Sequence, residues 1–242
     1  KPAVEGTLRV LKAASKAGVK RVVITSSVAA IMYGTNKQGV FNEEDWTDPN
    51  SKTTNVYAKS KTLAEQAAWD FMKQDTSGME LSTVLPAMVF GPILEEDFGV
   101  SVGAILDMMN GKYPIVPNWD MGVVDVRDVA SLELLAMTKP EAAGKRFVCS
   151  AENMFMKDQN EYLSEIFPES ADKIPKRVAP NWLIKFLALF LPALKMIAEG
   201  LGKERSMDSS RAKNLLGWNP RSAKEAVKSA AESAKEFGLI ED

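Results

Sequence analysis

Tyr57 and Lys61 are the residues whose types and spacing best suit acid–base chemistry. They stand four residues apart in Tyr57-Ala58-Lys59-Ser60-Lys61, which opens a helix-like segment, and on a helix such side chains lie on one face about one turn apart. A fixed ammonium beside a phenol favours the phenolate, so Lys61 would bring Tyr57 toward general acid and base function near neutral pH. Any helix can present such a pair, and the spacing alone leaves a solvated tyrosine beside a solvated lysine as the alternative.

A second polar group, Thr25-Ser26-Ser27, follows an apolar run earlier in the chain. A serine hydroxyl at the end of a strand could donate a hydrogen bond to a substrate oxygen and hold that oxygen against the phenol. We predict Ser27 for this role, with Ser26 as the second choice. The two groups together predict a Ser/Tyr/Lys site whose catalytic residues are Ser27, Tyr57 and Lys61.

The composition excludes several classes of function. Thirty basic against thirty-two acidic residues leave a net charge of −2, which gives no electrostatic case for nucleic-acid binding. The chain has no histidine, so neither a Ser-His-Asp or Cys-His hydrolase nor a histidine-ligated zinc site can be built. We expect the acidic run Glu95-Glu96-Asp97 to be a solvated loop rather than a magnesium site, and we predict no metal. The single cysteine, Cys149, is expected to lie in the core.

The order of the elements predicts an α/β fold. Val4 to Ala17 has helical spacing and stops at Gly18, whereas Arg21 to Thr25 is a short β-branched run typical of a strand buried on both faces of a parallel sheet. Tyr57 to Gln74 is predicted as a helix and Leu81 to Leu85 as another strand. Helices alternating with buried strands favour a doubly wound parallel sheet.

Several motifs resemble those of one enzyme family. The segment from Lys20 to Ser27, followed by Gly34 and then by Tyr57 to Lys61, resembles the extended short-chain dehydrogenases/reductases of the NAD-dependent epimerase/dehydratase superfamily. Within that family, Ser60-Lys61-Thr62-Leu63-Ala64-Glu65-Gln66-Ala67-Ala68-Trp69 is most similar to the dihydroflavonol reductase and cinnamoyl-CoA reductase branch. Three later segments resemble family landmarks in the right order and extend the resemblance over nearly the whole chain: Leu85 to Pro92, Val124 to Ala130 and Ser209 to Pro220.

The resemblance implies a partial doubly wound, Rossmann-like parallel sheet with a smaller, mostly helical substrate lobe. Residues 1–90, with 123–150 returning to them, would form the C-terminal half of a dinucleotide-binding domain, and residues 91–122 and 151–242 the substrate-binding lobe. Family members begin with a glycine-rich turn that approaches the pyrophosphate. The early glycines of this chain are too scattered to form that turn, so we expect the first part of the nucleotide-binding half to be absent.

The resemblance also implies NAD(P)-dependent reduction of an aldehyde or ketone, or the reverse oxidation of an alcohol. Tyr57 would give its proton to the carbonyl oxygen, Ser27 would orient that oxygen, and Lys61 would also hydrogen-bond the nicotinamide ribose. NADP is slightly preferred over NAD. The predicted cofactor-binding residues are Thr25, Ser26, Tyr57, Lys61, Pro86, Ala87, Val89 and Ser101. An apolar substrate wall could come from Met32, Tyr33, Phe90, Ile93, Met109, Tyr113 and Trp119, although each is more often plain core.

Two other functions stay open. A nucleotide-sugar epimerase or dehydratase of the same superfamily uses the same tyrosine and lysine, and a non-catalytic binding or scaffold protein would need neither. We expect a small carbonyl substrate as partner, no nucleic acid, and a possible homodimer formed by the helix near Tyr57 and the helix before the serine strand.

We expect a cytoplasmic protein, because no signal peptide opens the chain. The apolar stretch from Trp182 to Ala198 is interrupted by Lys185, Pro192 and Lys195 and falls short of the roughly 20 apolar residues that a membrane span needs. We predict no span and interpret this stretch as a buried or pocket-lining helix, with attachment to a membrane surface as the alternative.

Overall fold

The computed structural model describes residues 1–191, 194–203 and 205–240, without the side chain of residue 196. The helices are α1 (Pro2–Lys16), α2 (Val56–Gln74), α3 (Val100–Met109), α4 (Val126–Thr138), α5 (Met156–Ile166), α6 (Asn181–Leu187), α7 (Leu194–Gly200), α8 (Ser210–Leu216) and α9 (Ala223–Glu236). The strands are β1 (Arg21–Thr25), β2 (Gly39–Phe41), β3 (Glu80–Pro86), β4 (Met88–Phe90), β5 (Val116–Pro117), β6 (Asp120–Asp125), β7 (Arg146–Cys149), β8 (Glu152–Phe155), β9 (Val178–Ala179) and β10 (Arg205–Met207).

The chain divides into two compact units of similar length. The first unit comprises Lys1–Ala87, Val129–Cys149 and Met207–Asn219, and the second comprises Met88–Asp128, Ser150–Ser206 and Pro220–Asp242. The division differs from the predicted domains in four places: residues 88–90, 123–128 and 150 group with the second unit, and residues 207–219 group with the first. The roles assigned to the two parts, dinucleotide binding and substrate binding, stay predictions.

A parallel three-stranded sheet forms the centre of the first unit, in the order β1-β3-β7. Thr25 of β1 stands opposite Val84 of β3, and Pro86 of β3 opposite Cys149 of β7. The carboxyl ends of the three strands therefore lie at one edge of the sheet, where ligands bind in open α/β sheets. Cys149 is fully buried there, as its apolar neighbours predicted.

Helices α1 and α2 cover one face of this sheet. Leu11 of α1 and Ala68 of α2 pack in one apolar cluster with Leu81 of β3, and the half-buried Val22 and Ile24 of β1 lie against it. Helix α1 stops at Lys16 because Gly18 adopts a left-handed conformation with φ of +70°. The sequence predicted the limits of both helices to within two residues.

The second unit combines helices with a mixed three-stranded sheet. Strand β6 pairs in parallel with β4 and antiparallel with β8, and short strands β5 and β9 pair in parallel. Helices α3 and α9 contribute buried apolar side chains, among them Ile105, Leu106 and Val227, to a core that also contains Phe90 and Val123 from the sheet.

Two expectations about burial are wrong. Strand β1 is not buried on both faces, because its first four residues are half-buried and Thr25 is exposed. Within the described residues β1 is an edge strand of its sheet and pairs with β3 alone.

The stretch from Trp182 to Ala198 is not one buried helix. It contains α6 and the start of α7, and residues 192–193 lie outside the described part. Ile184 and Ala188 pack inward, and Leu183 and Leu187 are half-buried. Five other large apolar side chains of the first half are exposed: Trp182, Phe186, Leu189, Phe190 and Leu191. Within the described residues, every helix is too short or too polar to cross a bilayer.

Candidate functional site

Helix α2 presents Tyr57 in its first turn. Asn55 caps the helix, and its side-chain oxygen accepts a hydrogen bond from the backbone N–H of Ala58 at 2.8 Å, which satisfies one of the donors that a helix start leaves open. The cap fixes where the helix begins and so places Tyr57 beside the cap and Lys61 one turn later. The Tyr57 side chain is 52% exposed, which leaves its phenol accessible to a ligand.

Lys61 joins α2 to the end of β1. Its Nζ donates a hydrogen bond to the backbone carbonyl of Thr25 at 3.2 Å, and the side chain of Thr25 in turn donates to the Glu133 carboxylate at 2.5 Å. The predicted lysine and the predicted serine segment are therefore neighbours in the folded chain. A lysine held at one end by a backbone carbonyl has a defined position beside Tyr57 on the same helix face.

The two candidate serines have different environments. Ser26 is buried, and its hydroxyl donates to Oε2 of Glu65 at 2.5 Å. Ser27 is also buried, but its hydroxyl oxygen accepts from the N–H of Ala29 at 3.1 Å, at the start of a 3-10 turn spanning Val28–Ala30. A hydroxyl that accepts from the backbone keeps its proton for donation. This geometry favours Ser27 over Ser26 as the donor to a substrate oxygen.

Sequence reasoning missed a buried ion pair between Glu65 and Arg146, which lies next to Ser26. Glu65 of α2, 1% exposed, accepts from Arg146 Nε at 2.8 Å and from the Thr83 hydroxyl at 2.9 Å. Arg146 lies over the Trp46 ring, 3.7 Å from the ring centroid. The signal that could have found Glu65 is its spacing, since residues 57, 61 and 65 follow one another at four-residue intervals along one helix face. Arg146 gave no such signal, because it lies on a distant strand.

Two further predicted cofactor residues, Pro86 and Ala87, lie where β3 leaves the sheet. Pro86 is buried at the carboxyl end of β3, and the N–H of Ala87 donates to the carbonyl of Cys149 at 3.0 Å. Five of the other predicted residues belong to the same unit: Thr25, Ser26, Ser27, Tyr57 and Lys61.

Val89 and Ser101, by contrast, lie in the second unit and line one pocket there. This pocket has a volume of about 330 Å³ and is lined by residues 89–95, 97–99, 101–102 and 126. Gly91 forms part of its wall with φ of +112°, and a Cβ at this position would lie 2.9 Å from Oδ1 of Asp125. The close approach explains why glycine is needed at this point of the loop.

Asp125 is a buried carboxylate next to that pocket. It accepts three hydrogen bonds from Arg127, through the backbone N–H at 2.9 Å, Nε at 2.9 Å and Nη2 at 2.6 Å. Burial disfavours the charge of Asp125, but the hydrogen bonds and positive charge of Arg127 outweigh it and lower the pKa of Asp125 below its ordinary value of 3.8. The pair holds the end of β6 against the start of α4.

The candidate substrate-wall residues have several different environments. Tyr33, Phe90 and Met109 are core residues, and Tyr113 is 48% exposed. Phe90 and Ile93 contribute to the pocket of the second unit. The acidic run at 95–97 is exposed, as expected of a solvated loop.

The chain belongs to the NAD dependent epimerase/dehydratase family, whose sequence profile matches residues 2–150. It is 37% identical over 213 residues to cinnamoyl-CoA reductase 1 of Petunia hybrida, covering 82% of this chain and 63% of that protein. It is 31% identical over 250 residues to the NADPH-dependent methylglyoxal reductase GRE2 of Saccharomyces cerevisiae, covering 97% of this chain and 69% of that protein. The chain thus spans less than two thirds of the petunia relative's length.

The fold is that of a solved yeast enzyme. The crystal structure of yeast methylglyoxal/isovaleraldehyde reductase Gre2 complexed with NADPH matches with a TM-score of 0.79 and 30% sequence identity, over 99% of this chain and 71% of that one. The predicted α/β class with a parallel sheet and the predicted resemblance to the cinnamoyl-CoA reductase branch are both confirmed.

Proposed function

We propose that this protein is an NADPH-dependent reductase of small aldehydes or ketones. The observation that carries the proposal is the contact between Lys61 Nζ and the Thr25 carbonyl, which brings Lys61 and Tyr57 of α2 to the segment that contains Ser27. The names of the relatives support it, since they describe reductases of cinnamoyl-CoA, methylglyoxal and isovaleraldehyde.

In the proposed reaction, Tyr57 donates its phenolic proton to the carbonyl oxygen, so that no free alkoxide forms. Ser27 donates a hydrogen bond to the same oxygen and orients it, because its hydroxyl oxygen is already held by the Ala29 N–H. The Lys61 ammonium places a positive charge close to the phenolate that remains, which assists the proton transfer to the carbonyl oxygen, and solvent then returns a proton to Tyr57. When bound, NADPH supplies the hydride that reduces the carbonyl carbon.

The residues present fit the nicotinamide part of such a cofactor. Lys61 offers a cationic donor one helical turn from an exposed phenol, and its hydrogen bond to the Thr25 carbonyl fixes its position at the carboxyl end of β1. We propose that the predicted set binds the cofactor: Thr25, Ser26, Tyr57, Lys61, Pro86, Ala87, Val89 and Ser101. Ser26 would act through its backbone, because its buried hydroxyl is bound to Glu65. NADPH is preferred over NADH because the yeast relatives are described as NADPH-dependent or as an NADPH complex.

We also propose that the first unit is the C-terminal half of a dinucleotide-binding domain and that the second unit carries the substrate-binding lobe. We propose a cytoplasmic location because the single cysteine cannot form an internal disulfide, so that the fold does not depend on an oxidising compartment.

A homodimer through α1 and α2 is proposed in addition, supported by Val10 of α1, whose side chain is 62% exposed. Light scattering on wild type and Val10→Glu would test it, because a charge at this interface would give monomer. A wild-type monomer at all concentrations would reject it.

The test is a fluorescence titration of NADPH and NADH, followed by the rate of NADPH consumption with methylglyoxal, isovaleraldehyde and cinnamoyl-CoA. The chain is measured by itself and joined to the N-terminal segment of yeast GRE2. Binding of NADPH with aldehyde-dependent consumption supports the reductase. Binding of a uridine diphosphate sugar without aldehyde turnover would favour the epimerase or dehydratase alternative. Indifference of both proteins to every ligand would favour the scaffold alternative.

A further inference from the structure

The Glu65 side chain, on the same helix as Tyr57 and Lys61, accepts five hydrogen bonds. Its Oε1 accepts from Arg146 Nε at 2.8 Å, Thr83 Oγ1 at 2.9 Å and Trp69 Nε1 at 3.3 Å. Its Oε2 accepts from Ser26 Oγ at 2.5 Å and Arg146 Nη2 at 3.4 Å. All of these contacts use Glu65 as an acceptor, and at 1% exposure it is closed to solvent and to ligands. A side chain so placed can act on chemistry only through its neighbours.

Ser26 is the neighbour that leads to the reacting groups. It is held twice, by its hydroxyl bond to Glu65 and by its backbone N–H, which donates to the carbonyl of Val84 on β3 at 2.7 Å. The residues on either side of Ser26 carry the other two contacts of the site. The Thr25 carbonyl accepts from Lys61, and the Ser27 hydroxyl accepts from the Ala29 N–H. Thr25, Ser26 and Ser27 are thus each held by at least one hydrogen bond.

The bond from Ser26 ties these three residues to the rigid part of the unit. Glu65 is itself held by Arg146 on β7 and by Thr83 on β3, and Arg146 is held in turn by the carbonyls of Glu43 at 2.5 Å and Asp45 at 3.0 Å. We infer that Glu65 is a positioning residue that sets the orientation of the Ser27 hydroxyl through Ser26. The expected effect of Glu65 on the rate of reduction rests on the proposed reductase function. The orientation of the Ser27 hydroxyl does not, because it exists without a ligand.

The chain offers a matched pair of variants. Ser26→Ala and Thr83→Val each remove one hydroxyl that donates to Glu65, and both leave the ion pair with Arg146 in place. Only Ser26 adjoins Ser27. If Glu65 merely stabilises the fold, the two variants behave alike. If it positions Ser27, only Ser26→Ala disturbs the site.

The first readout is hydrogen exchange of the Ala29 amide, followed by NMR in the protein without ligand, because this amide donates to the Ser27 hydroxyl. We expect exchange at least about tenfold faster in Ser26→Ala, and within about twofold of wild type in Thr83→Val. The second readout is steady-state kinetics with NADPH and an aldehyde. We expect Ser26→Ala to lower kcat about tenfold or more, as misalignment of a reacting group does, with the KM for NADPH unchanged, and Thr83→Val to leave both constants near wild type.

Equal changes in the two variants, in exchange or in kcat, would overturn the inference in favour of a structural role. A raised KM for NADPH in Ser26→Ala with normal Ala29 exchange would also overturn it, since the Ser26 hydroxyl would then contact the cofactor and not act through Ser27. If wild type reduces no aldehyde, the proposed function fails, and the exchange comparison by itself still decides whether Glu65 positions Ser27.

Discussion

The ammonium of Lys61 and the backbone carbonyl of Thr25 are 3.2 Å apart and hydrogen-bonded. This contact joins the second turn of α2 to the last residue of β1, which are separated by 36 positions in the chain. It defines the position of Lys61 without using any atom of Tyr57, so the phenol one turn earlier stays open to a ligand. The proposed acid and its supporting cation are thus anchored independently of each other.

Loss of the Lys61 ammonium should abolish most of the activity. In Lys61→Met the side chain at position 61 keeps its apolar part but loses both the hydrogen bond to Thr25 and the positive charge beside Tyr57. We expect the aldehyde reduction rate to fall by about 10²-fold or more, the scale of a general acid/base contribution. Lys59→Met, on the same helix but exposed, is the control and should keep wild-type activity. A Lys61→Met variant within threefold of wild type would contradict the assigned role.

Tyr57→Phe should lose activity while keeping stability. The ring is half exposed, and surface substitutions away from special features usually change the free energy of unfolding by within about 0.5 kcal/mol. Removal of the proposed proton donor should lower kcat by about 10² to 10⁴-fold. Turnover and thermal unfolding are measured on the same preparation, and full activity with the variant would mean that another group protonates the product.

Removal of Arg146 from its ion pair with Glu65 should lower the free energy of unfolding. Arg146→Met leaves a buried carboxylate uncompensated, and such a loss typically destabilises by about 3–5 kcal/mol. The double variant Glu65→Leu with Arg146→Met removes both charges, and we expect it to be more stable than Arg146→Met alone. Urea unfolding of the single and double variants measures this, and additive losses would show that the two charges do not depend on each other.

Gly91→Ala should destabilise the second unit. Its φ of +112° and the 2.9 Å approach to Asp125 leave no place for a Cβ, and strained backbone of this kind costs about 1–3 kcal/mol. Gly6→Ala is the counterpart, since no atom lies within 4 Å of a Cβ built in the middle of α1, and alanine there should stabilise by about 0.5–1 kcal/mol. Thermal unfolding of both variants checks that the midpoint falls for Gly91→Ala and rises for Gly6→Ala. Stabilisation by both substitutions would show that the backbone at Gly91 is not strained by a Cβ.

Glu43 should make stability depend on pH in mildly acidic solution. Burial raises the pKa of Glu43 above its ordinary value of 4.5, against the opposing effects of the Val148 amide and the Arg211 charge. The folded protein therefore binds this proton more tightly than the unfolded chain does. Its contribution is fully present below the unfolded pKa and is lost as pH rises through the folded pKa.

The variant Glu43→Gln isolates this effect, because glutamine can still accept from the Val148 N–H but cannot titrate. We expect the free energy of unfolding of wild type, relative to Glu43→Gln, to fall between about pH 4 and about pH 7. Urea unfolding at the two pH values gives this difference, in which the contributions of other titrating groups cancel. A constant difference would mean that the hydrogen bond from Val148 and the Arg211 charge cancel the effect of burial, and a rising difference would mean that they outweigh it.

Local pattern determined much of the fold and the candidate residues. The limits of α1, α2, β1 and β3 follow from helical or β-branched spacing and from the stop at Gly18, which are properties of neighbouring residues. The four-residue interval from Tyr57 to Lys61 likewise needs only a helix to bring the two side chains onto one face. The motif order was sufficient to identify the family. The chemical role of the three predicted catalytic residues stays a prediction.

The tertiary structure decided what depends on segments far apart in the chain. The sequence predicts Ser27 with Ser26 as the second choice, and only the packing of α2 against β1 shows that the Ser26 hydroxyl is bound to Glu65 while the Ser27 hydroxyl accepts from the Ala29 N–H and can still donate its proton. Glu65 and Arg146 are 81 positions apart, so no local pattern pairs them. The grouping of residues 207–219 with the first unit and the exposure of Trp182 depend in the same way on long-range contacts. The sequence by itself thus determined α1, α2, β1, β3 and the candidate residues, because these follow from near neighbours, whereas pairing and burial were decided by packing between distant segments.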